Sequence, residues 1–219
     1  DILKRVWTSS APFDYEGEFY KFEGAHTEIY CHRSPHIPVY GGGGSDDAIN
    51  TLSPCIDTFM LWGEPLAATS AFMQRVRTAA VHNPIEFSLS TRPILADTEG
   101  KAWDRARDIL KRIQERLPNG GATPQNVGSL RLLDAAAEKE VHDTCLYTAL
   151  AAATGARGNS TALVGTPDNV AEALARYYDI GAKTLLVRGY DPLPDAIQYG
   201  EELIPRVRAL VAERDAAAD

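Results

Sequence analysis

The chain has 219 residues, enough for one large domain or two small ones, and its 44% hydrophobic content is that of an ordinary globular protein. Acidic residues outnumber basic ones, 30 to 22, for a net charge of -8, which argues against a nucleic-acid surface, since that needs a basic patch to meet phosphates. No apolar run reaches the ~18 residues of a membrane span, and three scattered cysteines, Cys31, Cys55 and Cys145, fit a reducing cytoplasm better than a disulfide framework.

In chain order, "ILKRVW" reads as the end of a helix cut off from whatever preceded it, and "FDYEGEFYKFEG" alternates aromatic and polar residues around Gly17, the signal of a β-hairpin. "HIPVYG" predicts a short strand that breaks into four consecutive glycines, residues 41–44, before Ser45 and a helix from Asp46. Such a run weakens any regular element, because glycine loses the most backbone freedom on folding, so it implies a need for close backbone approach. "CIDTFMLWGEP" predicts a second strand, and residues 66–81 a helix with Phe72, Val76 and Ala80 along one side. "IEFSLSTRPIL" predicts a third strand, expected to bulge or end near Pro93, which has no N–H for a ladder. Asp97 and Thr98 can cap the next helix, where Trp103, Ala106, Leu110, Ile113 and Leu117 recur at spacings of three and four.

Residues 122–160 are alanine-rich and read as a helical insertion with a mobile glycine-bearing loop, "TGARGN". Thr166-Pro167 then starts a helix that stops at Gly181. "KTLLVRGYD" is the fourth strand, and a last helix begins near Pro194. Alternating strands and helices imply a parallel sheet covered by helices. Four right-handed units of this kind make half of a (β/α)8 barrel, which takes about 250 residues when complete. The expectation is therefore either an open α/β sheet or half of a barrel.

Six segments carry a resemblance: "YEGEFYKFEGA", "PHIPVYGGGGSDDA", "DTFMLWGEP", "DTEGKAWDRARDIL", "TALVGTPDNVAEAL" and "RGYDPLPDAIQYGEELIPRV". In register and spanning nearly the whole chain, they resemble the luciferase-like flavin monooxygenases, in particular the two-component, reduced-FMN-dependent alkanesulfonate monooxygenases. The resemblance implies a TIM barrel of the bacterial luciferase type. Residues 1–219 then hold strands five to eight, with the insertion at 122–160 between strands seven and eight. It also implies that the first four strands lie outside this sequence, so that a missing N-terminal half, or a second copy in a homo-oligomer, completes the barrel.

The resemblance extends to a site. It sets the glycine turn after strand five beside reduced FMN, with Gly43 and Gly44 offering backbone N–H groups to an anion. Ser45 aligns with a family serine once one extra glycine is allowed, and its hydroxyl can donate to a phosphate or ring oxygen; the other reading is a plain helix cap. Arg157, in "GARGNS", falls where the family places an arginine that closes over flavin and substrate. A guanidinium there suits a sulfonate or phosphate, and a solvated surface arginine is the alternative. Tyr190, in "RGYDP", matches a family tyrosine at the active-site mouth, or else packs at the barrel rim. On strand seven the sulfonate-cleaving enzymes carry Arg-x-His, and the aligned positions here are Ser90, Thr91 and Arg92. A shift of two preserves side-chain parity, so Arg92 faces the side the histidine faced. His142 reads as a helix-surface or packing residue, Trp62 as pocket wall or core, and Glu64 receives no catalytic role.

Three functions stay open. The first is an FMN-dependent monooxygenase, supplied with reduced FMN by a separate flavin reductase and acting with oxygen on a small organic substrate such as an alkanesulfonate. The second is a deazaflavin-dependent oxidoreductase on the same barrel, and the third a non-catalytic half-barrel that binds a phosphate ligand or a partner chain. The five histidines show no HExxH or cysteine-paired spacing, so no metal is expected.

Overall fold

Helix α1 (Ile2–Thr8) and the hairpin of β1 (Phe13–Glu16) and β2 (Lys21–Ala25) open the chain in the computed structural model, which describes residues 1–158 and 161–218. Gly17 N donates to Tyr20 O at 2.9 Å to close the hairpin, and the alternation of the sequence stacks Tyr15 on Phe22 at 5.5 Å.

The alternating units follow: β3 (Tyr40–Gly41), α2 (Asp46–Leu52), β4 (Thr58–Trp62), α3 (Leu66–Ala79), β5 (Glu86–Leu95) and α4 (Glu99–Arg116). Next come α5 (Val127–Glu138), β6 (Val141–His142), β7 (Leu146–Tyr147), α6 (Ala149–Thr154), β8 (Ala162–Gly165) and α7 (Pro167–Asp179). β9 (Thr184–Val187), α8 (Pro192–Gln198), a π-helical turn (Tyr199–Leu203) and α9 (Ile204–Ala218) end the fold. Local chemistry sets several starts. Thr98 accepts from Lys101 N and Thr166 from Asn169 N, and Pro167 takes the first helical position, where its missing N–H costs nothing.

Strands β3, β4, β5 and β9 pair in parallel in that order and make half of a barrel. Alternation splits each strand between two faces. Phe59, Leu61, Phe87 and Leu89 point outward and are buried beneath Phe72, Met73 and Val76 of α3 and Leu174 and Tyr177 of α7. Each large apolar side chain so buried contributes about 1.5–3 kcal/mol. The inner face stays open: Tyr40, Met60 and Leu186 are 48%, 48% and 55% exposed. Among the described residues β3 pairs only with β4, and β9 only with β5.

The structure departs from the sequence reading in several places. β5 runs through Pro93 to Leu95 and neither ends nor bulges there. Its ladder to β4 stops at Ser90, and from Arg92 it pairs with β8 instead. Pro93 lies inside that second ladder, opposite Leu163, with Arg92 and Ile94 paired on either side of it. The 122–160 segment is not helical throughout, because β6 and β7 form an antiparallel hairpin inside it, and β7 joins β8. His142 consequently lies on a strand and is buried, its ring nitrogen 2.8 Å from Ala135 O; the packing role stands and the helix does not. The last helical segment begins at Pro192. No helix among the described residues is long and apolar enough to cross a membrane.

Candidate functional site

Parallel pairing brings the carboxyl ends of β3, β4, β5 and β9 to one end of the half-barrel, and register sets their inward residues in rows. Met60, Ser88 and Thr184 form one row, and Trp62, Ser90 and Leu186 the next. A cleft of about 700 Å³ opens over these rows, with serine hydroxyls at its floor between apolar flanks. The glycine turn closes one side and the start of α5 another.

Glycines 42–44 do not supply left-handed backbone; the positive-φ glycines lie elsewhere. They supply proximity. A Cβ on Gly42 would stand 3.0 Å from Met60 O, on Gly43 2.5 Å from Ala48 Cβ, and on Gly44 2.8 Å from Gly128 N. The turn therefore packs backbone to backbone against β4 on one side and α5 on the other. Ser45 follows as N-cap of α2, its Oγ accepting from Ala48 N at 3.2 Å, which leaves the hydroxyl proton available to the cleft. Asp46 and Asp47 occupy the first turn of α2, and Asp46 pairs with Arg75.

Beyond Trp62 the cleft turns polar. Arg131 of α5 donates Nη2 to Glu64 Oε2 at 2.6 Å, and its guanidinium lies 4.1 Å from the Phe72 ring centroid. Burial pushes the Glu64 carboxyl above its ordinary value, and the Arg131 charge and hydrogen bond pull it back. α5 reaches the cleft because Asn126 caps it, accepting from Ser129 N at 2.8 Å, and because Gly128 lets Trp62 approach.

Arg92 and Tyr190 meet in a second cluster, and neither lines the cleft, although Arg92 stands on β5 two residues beyond its Ser90. The Arg92 guanidinium lies 5.2 Å from the Tyr190 ring centroid, and its Nη1 donates to Gly189 O at 3.4 Å. Burial is the main cause that lowers the Arg92 pKa and raises that of Tyr190. The Tyr190 hydroxyl is buried with no hydrogen-bond partner among the described residues. A buried carboxylate holds this turn: Asp195 Oδ2 accepts from Tyr190 N at 2.8 Å and Asp191 N at 3.0 Å, while Oδ1 takes Arg105 Nη2 at 2.5 Å. Gly189 leaves room for that carboxylate, since a Cβ there would be 2.3 Å from it.

The structure thus gathers Gly43, Gly44 and Ser45 at the cleft and puts Arg92 against Tyr190. Arg157 is exposed, one residue beyond Ala156, which is buried and bonded through its N to Ala151 O and through its O to Ser129 Oγ. The segment proposed as mobile is therefore anchored over residues 154–156, while its Asn159 and Ser160 lie outside the described residues. Sequence reasoning missed Arg131 and the α5 start and gave Glu64 no role. The only local sign was the acid in "WGEP"; nothing in "GSLRLLDAAAE" marks Arg131.

The family model described as luciferase-like monooxygenase matches residues 1–184. Among solved structures, the chain is similar to a riboflavin lyase with modified FMN and riboflavin, at 15% identity and TM-score 0.72, over 95% of this chain and 55% of that one. An EDTA monooxygenase from Chelativorans sp. BNC1 gives 17% and 0.70, over 95% and 57%. An F420-dependent secondary alcohol dehydrogenase with an F420–acetone adduct gives 12% and 0.61, over 94% and 59%. The chain spans a little over half the length of these structures.

Proposed function

The chain belongs to the luciferase-like monooxygenase family, and from that membership we propose that it forms the C-terminal barrel half of a cytoplasmic, reduced-FMN-dependent monooxygenase. The observation that carries this reading is the cleft: about 700 Å³ at the carboxyl ends of the parallel strands, bounded by the glycine turn. Pockets for organic ligands run to ~300–1,000 Å³, mostly apolar with a few placed polar groups. FMN fits that description here. Gly43, Gly44 and Ser45 would hold its phosphate, and Met60, Trp62 and Leu186 offer apolar wall to its ring.

Reduced FMN, delivered by a separate flavin reductase, supplies the electrons for oxygen activation. The protein's share is to bind, orient and keep water away. Arg92 and Tyr190 would meet a small organic substrate, of which an alkanesulfonate is the candidate, with one a cation and the other a hydroxyl in want of an acceptor. Arg157 would close over it from the insertion. The N-terminal barrel half would cover the inner face, where Tyr40, Met60 and Leu186 stand exposed, at ~25 cal/mol for each Å² removed from water.

Anaerobic titration with reduced FMN, then isotopically labelled dioxygen with an alkanesulfonate, tests the proposal. One labelled oxygen atom in the product supports it. A second reading, a deazaflavin oxidoreductase, draws on the likeness to the F420-dependent dehydrogenase. Hydride exchange with F420 and no label in the product would replace the first reading with this one. Binding of neither cofactor would leave a non-catalytic half-barrel.

A further inference from the structure

The cleft holds a cation to which the reading above assigns no task. Among the described residues, Arg131 and Glu64 are the only ionisable side chains that line it. Their side chains are 22% and 12% exposed, so both charges have lost most of their water. The contact with Phe72 orients the guanidinium, and among the described residues its one hydrogen bond is the single-point contact to Glu64. A guanidinium carries five N–H donors in a rigid fork matched to two oxygens at once. Most of that capacity is unspent. None of the remaining donors is a buried atom without a partner, so they reach the cleft, where an oxyanion can meet them with charge-assisted hydrogen bonds.

We propose that Arg131 is the oxyanion anchor of the cleft, using its remaining donors to hold a carboxylate, sulfonate or phosphate group of the molecule bound there. Glu64 keeps the guanidinium in place between binding events. The proposal rests on the cleft being the ligand site and adds the charge class of the ligand. Two sources carry such a group: the phosphate of FMN and the head of an anionic substrate.

Charge balance gives the proposal a signature. The empty pair is neutral, so a bound monoanion leaves one net negative charge beside Glu64. A proton on Glu64 relieves it. Facing Glu64 are Arg131 from α5 and Tyr177 from α7, whose hydroxyl donates to the Glu64 carbonyl at 2.6 Å and also feels the negative charge of Asp143. None of these can supply a compensating positive charge beyond Arg131 itself. Anion binding is then coupled to proton uptake, and affinity rises as pH falls, by up to about tenfold per pH unit when one proton is fully linked.

Calorimetric binding of FMN, riboflavin and methanesulfonate to the full-length protein, with folding checked by circular dichroism, tests this in wild type, Arg131→Gln, Arg131→Lys and Glu64→Gln. A tenfold or greater loss for FMN in Arg131→Gln, with riboflavin unchanged, assigns the flavin phosphate to Arg131. The same loss for methanesulfonate with FMN unchanged assigns the substrate head. Arg131→Lys, a charge without the fork, should recover part of either loss. Glu64→Gln should bind the anion at least as tightly as wild type and flatten its pH dependence, and it carries the test should Arg131→Gln fail to fold. Unchanged affinity for all three probes in a folded Arg131→Gln, or weakened anion binding in Glu64→Gln, overturns the proposal. Methanesulfonate held through Arg131 by a protein that binds neither flavin would sink the FMN reading and leave this one standing. Flavin bound with Arg131 indifferent would do the reverse.

Discussion

Ser45 has two separable tasks, and substitution can pull them apart. Its Oγ accepts from Ala48 N at 3.2 Å as the cap of α2, and the same half-buried residue lines the cleft. Ser45→Ala removes both, costing ~0.5–2 kcal/mol of stability for the cap together with any hydrogen bond to ligand. Ser45→Gly is cleaner, since glycine caps within a few tenths of a kcal/mol of serine. Loss of one hydrogen bond at ~0.5–1.5 kcal/mol would then weaken FMN roughly two- to thirteenfold. Ser45→Asp keeps the cap acceptor and sets a negative charge at the glycine turn. Two like charges ~4 Å apart repel by about 1 kcal/mol in water and about 4 at an effective dielectric of 20. A half-buried turn lies between those limits, so FMN affinity should fall between about fivefold and several hundredfold, with riboflavin much less affected. Urea unfolding reports the cap and flavin titration reports the phosphate. A folded Ser45→Asp protein that binds FMN like wild type would remove the phosphate from this turn.

Three further outcomes follow from the same geometry. Gly44→Ala drives a Cβ to 2.8 Å from Gly128 N, a backbone atom that cannot rotate away. It should cost ~1–3 kcal/mol, or about 2–12 °C in melting temperature, whereas Gly100→Ala, with nothing within 4 Å, should cost nothing; equal melting points would refute the close approach. Tyr190→Phe deletes a buried hydroxyl that has no partner among the described residues, so stability should hold or rise by up to ~1 kcal/mol while kcat/KM falls at least tenfold. Wild-type turnover in that variant would take Tyr190 out of the site. Iodoacetamide at pH 8 should label Cys31 and Cys55 and spare Cys145, which is buried and whose thiol burial pushes up to about 12; native-state modification of Cys145 detected by mass spectrometry would contradict its placement.

What could be read from the sequence was what announces itself locally. Strands β3, β4, β5 and β9 each carry an apolar run bounded by glycine or proline, and a helix follows each, so four parallel units were visible in pattern alone, while the choice of half-barrel over open sheet came only with the family resemblance. β6 and β7 are two residues each inside an alanine-rich stretch, and β8 is four residues of "ALVG", too short for any period to register. Those strands exist because β5 outruns β4 and presents an unpaired edge from Arg92 onward, which is a tertiary fact. The cleft divides in the same way. Four successive glycines are an anomaly that demands an explanation, but the atoms they make room for, at Met60, Ala48 and Gly128, are named only by the fold. Arg131 pairs with Glu64 across 67 positions of sequence, and its helix gives it no unusual neighbours. A glycine run records that something comes close. Which charge comes with it is decided by the chain that arrives, and in this fold α5 is that chain, docking its Gly128 backbone on Gly44 and thereby carrying Arg131 to the wall of the cleft.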